Sequence, residues 1–360
     1  MAFSCLKMDQ VIMKIRTVFT LLVLGLLLAA CGSANPQPGT GDKTLGQTIL
    51  FNSTRDGKMG FYLLNPDTSE IKPLPVASLP AGWSAYSPIW SPVLKKFYFF
   101  AASPDSRQSA VFSMAKEGGQ VTRLSNDRQK DAFPIPSPDG QWIAFTNGDF
   151  FKPDVWVMKP DGTGAVNLTS ANPQSSGPVW SPDSHYIYFT TNVDGTPNVY
   201  RIGPDGKEIT NVSKGTGLDG AFSISPDGKS LAFDSDRDKN YHIFIAELPN
   251  GQITDLTLGD WRDYEPIFSP DGKMILFRSD RDKGTDYYLY TLADKSVKRL
   301  TNTPQEAKVG AGWSPDSKFI LFNQDVSGKL DVFKLDVQAG TLSNITNNPA
   351  DDSGAVWFIW

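Results

Sequence analysis

The sequence predicts an all-β fold, a seven-bladed β-propeller that runs from about Thr48 to the C-terminus and is closed by the chain's own last strand. Three observations predict it. Ser-Pro-Asp recurs at Ser137, Ser181, Ser225, Ser269 and Ser314, with a degenerate Ser91-Pro92-Val93 upstream, at spacings of 46, 44, 44, 44 and 45 residues. Around each anchor lie four short β-forming segments bounded by turn residues, and four strands in about 44 residues is the size of one blade. Finally, the two ends of the chain hold complementary fragments of a single unit.

In chain order, the first thirty residues stand outside this fold. Lys14 and Arg16 precede an apolar run of 13 residues, 18–30, which is shorter than the roughly 20 residues a spanning helix needs. The run ends in Leu28-Ala29-Ala30-Cys31, which resembles a bacterial lipobox and implies lipidation of Cys31 after cleavage. Met13 is the more usual start, since the preceding residues add nothing an export signal needs. Cys5 and Cys31 are the only cysteines, so the mature domain has no thiol pair and is held by its core. Residues 32–47 are rich in Gly, Pro, Asn, Thr and Ser, as a flexible tether would be. The expected organisation is a signal segment over 1–30, a lipidated cysteine and tether over 31–47, and the propeller over 48–360.

Within each unit the first strand precedes the serine, as at 177–180 and 266–268. The second strand follows it, at 143–145, 187–189, 231–233, 275–277 and 320–322, each ending in Phe. A third strand pairs an aliphatic with an aromatic residue in most blades, as in Val155-Trp156 and Val332-Phe333. A fourth ends in Leu168-Thr169, Leu256-Thr257 or Ile345-Thr346. Pro at the second turn position, Asp at the third and Gly140, Gly228 or Gly272 at the fourth make Ser-Pro-Asp-Gly a hairpin tip, so these serines are structural. Residues 49–56 repeat the second-strand pattern of 275–282 with no first strand before them. Gly354-Ala355-Val356-Trp357 repeats Gly310-Ala311-Gly312-Trp313 and then the chain stops. One blade is therefore assembled from both termini, which removes two sheet edges.

The Trp-Ser-Pro-Asp, Phe-x-Ser-Asp-Arg-Asp and Arg-Leu-Thr elements resemble the TolB-type, WD40-like (PD40) propeller repeat over nearly all of 48–360. The resemblance implies the fold, while the extracytoplasmic setting follows from the signal segment and the lipobox. The family's namesake has an additional N-terminal domain and six blades, and both differences separate this chain from a Tol-system role.

Longer loops gather on one face, and binding concentrates in loops held by a rigid scaffold. Trp83 and Tyr86, together with Trp261, Arg262, Asp263 and Tyr264, lie in connections on that face. Six residues before each anchor serine stand Asp131, Asp219 and Asp263, with Asp352 equivalent in the closing strand, and Ala85, Ser175 and Lys308 at the other three places. Four carboxylates at the channel mouth could attract a cation or a basic segment, or could accept hydrogen bonds that hold the loops. Residues 1–30 carry three basic and one acidic residue, so their removal takes the formal charge from −5 to −7.

Residues 234–240 resemble a calcium loop but lack its central glycine and distal glutamate. Asp-Arg-Asp recurs at 280–282, which marks a repeat turn with an internal ion pair, so no cofactor is expected and calcium is the minor alternative. His185 and His242 stand in no metal-ligand spacing, no Gly-x-Ser-x-Gly elbow occurs, and no phosphate loop or basic nucleic-acid patch is present. The expectation is a non-catalytic, monomeric scaffold, lipid-anchored at the cell membrane or outer membrane, that binds an envelope protein or peptide. The alternative is a small-ligand or glycan site in the channel, as a sensor or a degenerate polysaccharide lyase, with Trp83, Tyr86, Trp261 and Tyr264 as stacking platforms.

Overall fold

A computed structural model describes residues 47–126, 130–149, 152–171, 174–282, 284–302 and 308–359. The export signal, Cys31 and the tether lie outside the described residues. Among those residues there are twenty-nine strands and no helix, arranged in seven sheets.

Each sheet holds a blade of four antiparallel strands, in sequence order except in blade 1, and blades 2 to 7 run over 84–123, 132–167, 176–211, 219–255, 263–299 and 308–344. Blade 1 takes its first strand, Asp352–Ile359, from the C-terminus and pairs it antiparallel with Gln47–Ser53. The register sets Thr48 opposite Phe358, Ile49 opposite Trp357 and Asn52 opposite Ser353, as the repeat arithmetic predicts. Blade 2 alone carries a fifth strand. Val76–Ala77 leaves blade 1 and pairs in parallel with Gly119–Arg123, covering that outer edge.

The second strands explain why the repeat reads as continuous apolar runs rather than alternation. Each blade is packed between two others, so both of its faces are buried. Ile49, Leu50 and Phe51 are all fully buried. Leu50 packs with Phe97, Phe99 and Phe112 of blade 2, whereas Ile49 and Phe51 pack with Leu321 and Val332 of blade 7. The same division recurs around the molecule and produces seven apolar clusters, one between each pair of neighbouring blades. Seven blades in an open row would share six interfaces; the seventh exists because the ring is closed.

The anchors are turn staples, as expected. Ser137 Oγ donates to Asp139 Oδ1 at 2.6 Å and accepts the Trp142 N–H at 3.0 Å, and the Gln141 N–H reaches Asp139 Oδ1 at 3.0 Å. Ser181, Ser225, Ser269 and Ser314 repeat the pattern. The Leu-Thr ends of the fourth strands act similarly: Thr169, Thr257, Thr301 and Thr346 each accept a third-strand backbone N–H.

Because Trp357 fills the closing interface beside Ile49 and Phe51, Trp357→Ala should lower stability by about 3–5 kcal/mol. Urea denaturation followed by tryptophan fluorescence and circular dichroism measures this. A loss below about 1 kcal/mol would show that closure does not depend on this contact.

Candidate functional site: the long-loop face and channel mouth

The first strands of neighbouring blades lie innermost and contact one another at five of the seven boundaries, around the channel. The second-to-third and fourth-to-first connections meet at one end of it. Side chains from the two loop types bond there, as when Asp236 accepts the Leu218 N–H at 2.6 Å and Asp280 accepts the Arg262 N–H at 2.7 Å.

The ring of carboxylates is present, but its members are not open ligands. Asp219, Asp263 and Asp352 are fully buried. Arg237 Nη2 bonds both oxygens of Asp219 at 3.1 Å, Arg281 Nη2 both oxygens of Asp263 at 3.0 Å, and Arg55 Nη2 those of Asp352 at 3.2 and 3.1 Å. Each Arg Nε donates to a second-strand serine, Ser235, Ser279 or Ser53. Each guanidinium also lies over aromatic rings: Arg237 over Phe233 and Phe244, Arg281 over Tyr288, and Arg55 over Tyr62. A carboxylate removed from water needs such a partner, and charge-assisted bonds to a stacked arginine supply it. The expected cation attraction is thus corrected at these three positions. The internal ion pair expected within Asp-Arg-Asp is corrected too, because each arginine bonds a carboxylate on the first strand of its blade. The aspartate that follows it in blades 1 and 6, Asp56 or Asp282, instead accepts the phenol of Tyr62 or Tyr288.

Asp131 departs from the pattern. Asp149 stands where an arginine would, and Asn147 Nδ2 donates to Asp131 Oδ1 at 2.6 Å. Burial pushes the Asp131 carboxyl above its ordinary range, against the bonds from Asn147 and Ser125. Blade 7 reverses the polarity. Lys308 is fully buried and its Nζ lies 3.0 Å from Asp286 of blade 6. Burial alone would raise the Asp286 carboxyl, but Arg299, Thr301 and Lys308 together hold it below the usual range.

The remaining predicted residues separate into two groups. Trp261 is half-buried beneath Arg281, 4.6 Å from it, and Trp83 lies against Arg123 at 5.5 Å, so both support cations. Neither is a free stacking platform, which corrects the expectation for these two. Arg262 is exposed and pairs with Asp280 at 2.8 Å. Tyr86 and Tyr264 border the channel mouth, stacked on Phe100 at 5.4 Å and packed against Tyr241 at 5.5 Å. The calcium expectation meets separately engaged carboxylates, since Asp234 accepts the Glu265 N–H and Asp236 that of Leu218. Burial, the largest influence, pushes Asp234 up to about 7.

The sequence did not reveal the bulge. Every first strand shifts register near its start. Four residues before the anchor position the backbone turns left-handed in six of seven blades. Gly177, Gly310 and Gly354 meet this at no steric cost, whereas Ser87, Phe133 and Glu265 adopt φ of 51°, 54° and 55°. A left-handed bulky residue costs about 1–3 kcal/mol and persists where its side chain has a use. Aligning the residue four before each anchor would have exposed these three, had the bulge been known.

His242 ties the fourth-to-first loop of blade 5 to the sheet. Its Nδ1 lies 2.7 Å from Asp255 Oδ2 and its Nε2 2.9 Å from the Gly259 carbonyl. Both partners only accept, so both nitrogens must donate and the ring is imidazolium. Burial opposes the charge, but the Asp255 carboxylate and Gly259 carbonyl raise the His242 pKa above its ordinary 6.5.

Two outcomes test these assignments. Arg281→Ala should destabilise by about 3–5 kcal/mol because Asp263 is left buried and unpaired, and Asp263→Asn in the same chain should restore part of the loss. No rescue in urea denaturation would refute the pairing. For His242, the raised pKa means that its contribution is complete below about pH 6.5 and is lost as pH rises through the folded value. Wild type should therefore exceed His242→Gln by about 1.5–3 kcal/mol at pH 6, with the gap narrowing by pH 9; a constant gap would exclude the charged form.

Comparison with known proteins agrees with the architecture. The model of the TolB beta propeller domain (PD40) matches residues 84–218 and 205–357. An uncharacterized protein of Agrobacterium fabrum is 30% identical over 105 residues, 29% of this chain and 33% of that protein, so the match spans about a third of the relative's length. Among solved structures, TolB from Acinetobacter baumannii is similar at 17% identity with a TM-score of 0.55, over 83% of this chain and 78% of that one. An oligogalacturonate lyase in complex with manganese is similar at 16% identity with a TM-score of 0.65, over 80% and 85%. At these identities the likenesses describe the fold alone. The repeat, the seven four-stranded blades and a family match over most of the chain together establish that this chain belongs to the TolB β-propeller family.

Proposed function

We propose that this protein is a non-catalytic binding scaffold, exported and lipid-anchored through Cys31, which presents its long-loop face to a protein or peptide of the bacterial cell envelope. One observation carries the proposal: neighbouring blades expose apolar side chains from the loops of that face. Val193 of blade 4 is 41% exposed, Leu218 at the entry to blade 5 is 42% exposed, and Leu258 before blade 6 is 73% exposed. Apolar residues exposed in the loops of three successive blades on one face are the surface an association site uses. The arginine latches beneath blades 5 and 6 hold the loops in place, so little order has to be gained on binding.

The chemistry beside them supports docking rather than turnover. His242 has both nitrogens engaged, and the anchor serines are bonded within their own turns. No resident cofactor is proposed. The relatives named TolB are fold relatives of this chain, which makes a protein partner at the envelope the natural candidate.

A photo-crosslinking residue placed at Leu258 should capture a defined envelope protein in intact cells, and the same residue at exposed Val166 on an outer strand should not. Leu218→Asp should abolish the Leu258 adduct while leaving the thermal unfolding unchanged. Equal capture from both positions, or an adduct indifferent to Leu218→Asp, would refute the docking face.

A further inference from the structure

The channel mouth has a second design feature that the loop face does not explain. At each blade boundary three positions stand together: the residue five before the anchor, the residue that follows the three-residue apolar run of the second strand, and the residue four before the anchor in the next blade. The middle position is polar in six of the seven rows, and in four of them, at Asn52, Thr190, Asp234 and Asn323, it bonds the neighbouring blade. Asn52 Nδ2 donates to the Ala85 carbonyl, and Asn323 Nδ2 to the Asp352 carbonyl.

The row between blades 2 and 3 is wholly aromatic. Tyr86 stacks on Phe100 at 5.4 Å, and Phe100 meets Phe133 edge-on at 4.9 Å. Phe100 stands where other blades place a polar bridge, so it gives up an inter-blade hydrogen bond and backs Phe133 instead. Phe133 in turn holds a left-handed backbone that Gly177, Gly310 and Gly354 provide in blades 4, 7 and 1.

The rows on either side of blade 6 are polar with large side chains. Glu265, again left-handed, bonds Arg278 Nη1 at 2.9 Å, and Tyr264 lies beside them. In a ring of seven, the boundary between blades 2 and 3 lies directly opposite blade 6. The aromatic row therefore stands across the ring from a carboxylate, a guanidinium and a phenol, and left-handed non-glycine residues, Phe133 and Glu265, occur on both sides.

We infer that the channel mouth binds a neutral saccharide, with a sugar ring laid on Tyr86 and Phe133 and its hydroxyls on Glu265, Arg278 and Tyr264. A pyranose has a C–H face that packs on aromatic rings and hydroxyls that both donate and accept. The Glu265–Arg278 pair offers an acceptor and a donor side by side, which suits vicinal hydroxyls. The pair is internally neutral and half-buried, so an anionic or cationic ligand would have to break it and leave a desolvated charge behind. Of the other carboxylates described at the mouth, Asp219, Asp263 and Asp352 are held by arginine, and buried Asp131 and Asp234 bond Asn147 and the Glu265 N–H. This site is independent of the apolar loop face, and the failure of either leaves the other standing.

Phe133→Gly separates this assignment from a packing role. Glycine relieves the left-handed strain and removes the ring, so the variant should melt at or above the wild-type temperature yet bind sugar at least tenfold more weakly. Calorimetric titration with β-1,4-linked glucose, α-1,4-linked glucose and β-1,4-linked N-acetylglucosamine hexamers supplies the neutral probes, trigalacturonate the acidic one, and a Lys/Trp-containing heptapeptide the peptide control. Expected are saturable binding of at least one neutral hexamer, tenfold preference over trigalacturonate and the peptide, and unchanged affinity in Leu258→Asp. Absence of binding by all three hexamers, preference for the acid or the peptide, or affinity that survives Phe133→Gly would overturn the inference.

Discussion

Everything else in this molecule depends on one antiparallel pairing, that of Asp352–Ile359 with Gln47–Ser53. A blade buries both faces of its second strand only when it has a neighbour on each side. Blades 7 and 1 acquire that neighbour through the terminal strand, which brings Trp357 and Ala355 into one cluster with Ile49, Phe51, Leu321 and Val332. Without it, two blade faces and two strand edges would meet water at once, a loss far larger than one interface in a row of repeats. Closure also places the latch of blade 1, whose arginine and aspartate are 297 residues apart in sequence, in the same geometry as latches spanning 18 residues.

The latches solve a problem particular to a propeller. The first strand begins at a crowded channel mouth, and the loop leading to it must be fixed without an element to pack on. A buried aspartate clamped by a stacked arginine does this in blades 1, 5 and 6, and Lys308 with Asp286 performs the reversed task between blades 6 and 7. Repetition of a polar pair at equivalent places is a sign of architecture. Departure from the repeat is the better guide to function, because scaffolding does not require it. Phe100 in place of a polar bridge, and Phe133 and Glu265 in place of glycine, are departures of that kind.

The fold itself carries little information about activity. Similar propellers include one named TolB and one named as a lyase, and their likeness to this chain is of backbone path. What distinguishes members is the side chains at the loop face and mouth, here exposed Val193, Leu218 and Leu258 and the aromatic row of Tyr86, Phe100 and Phe133.

The anchor spacing, the blade number, the hairpin turns and the terminal closure were legible in the sequence because each is local chemistry repeated at a constant interval. Ser-Pro-Asp has to form a turn wherever it stands, and Ile49-Leu50-Phe51 must lie between two sheets because no other environment hides three consecutive apolar side chains. The position of the acidic ring was legible too, but its role was not. Whether Asp219 is open to a ligand depends on whether Arg237 folds back over Phe233 and Phe244 to reach it, and side-chain reach leaves no period in a sequence. The walls of the channel were hidden for a related reason. A bulge turns six backbones left-handed and sets Phe133 and Glu265 at that turn, while Trp83 and Trp261 lie against arginines. The sequence by itself determined the ring and its seams; only the tertiary structure decided which charges are occupied and which side chains face the channel, because those depend on contacts between strands that the repeat brings together but does not describe.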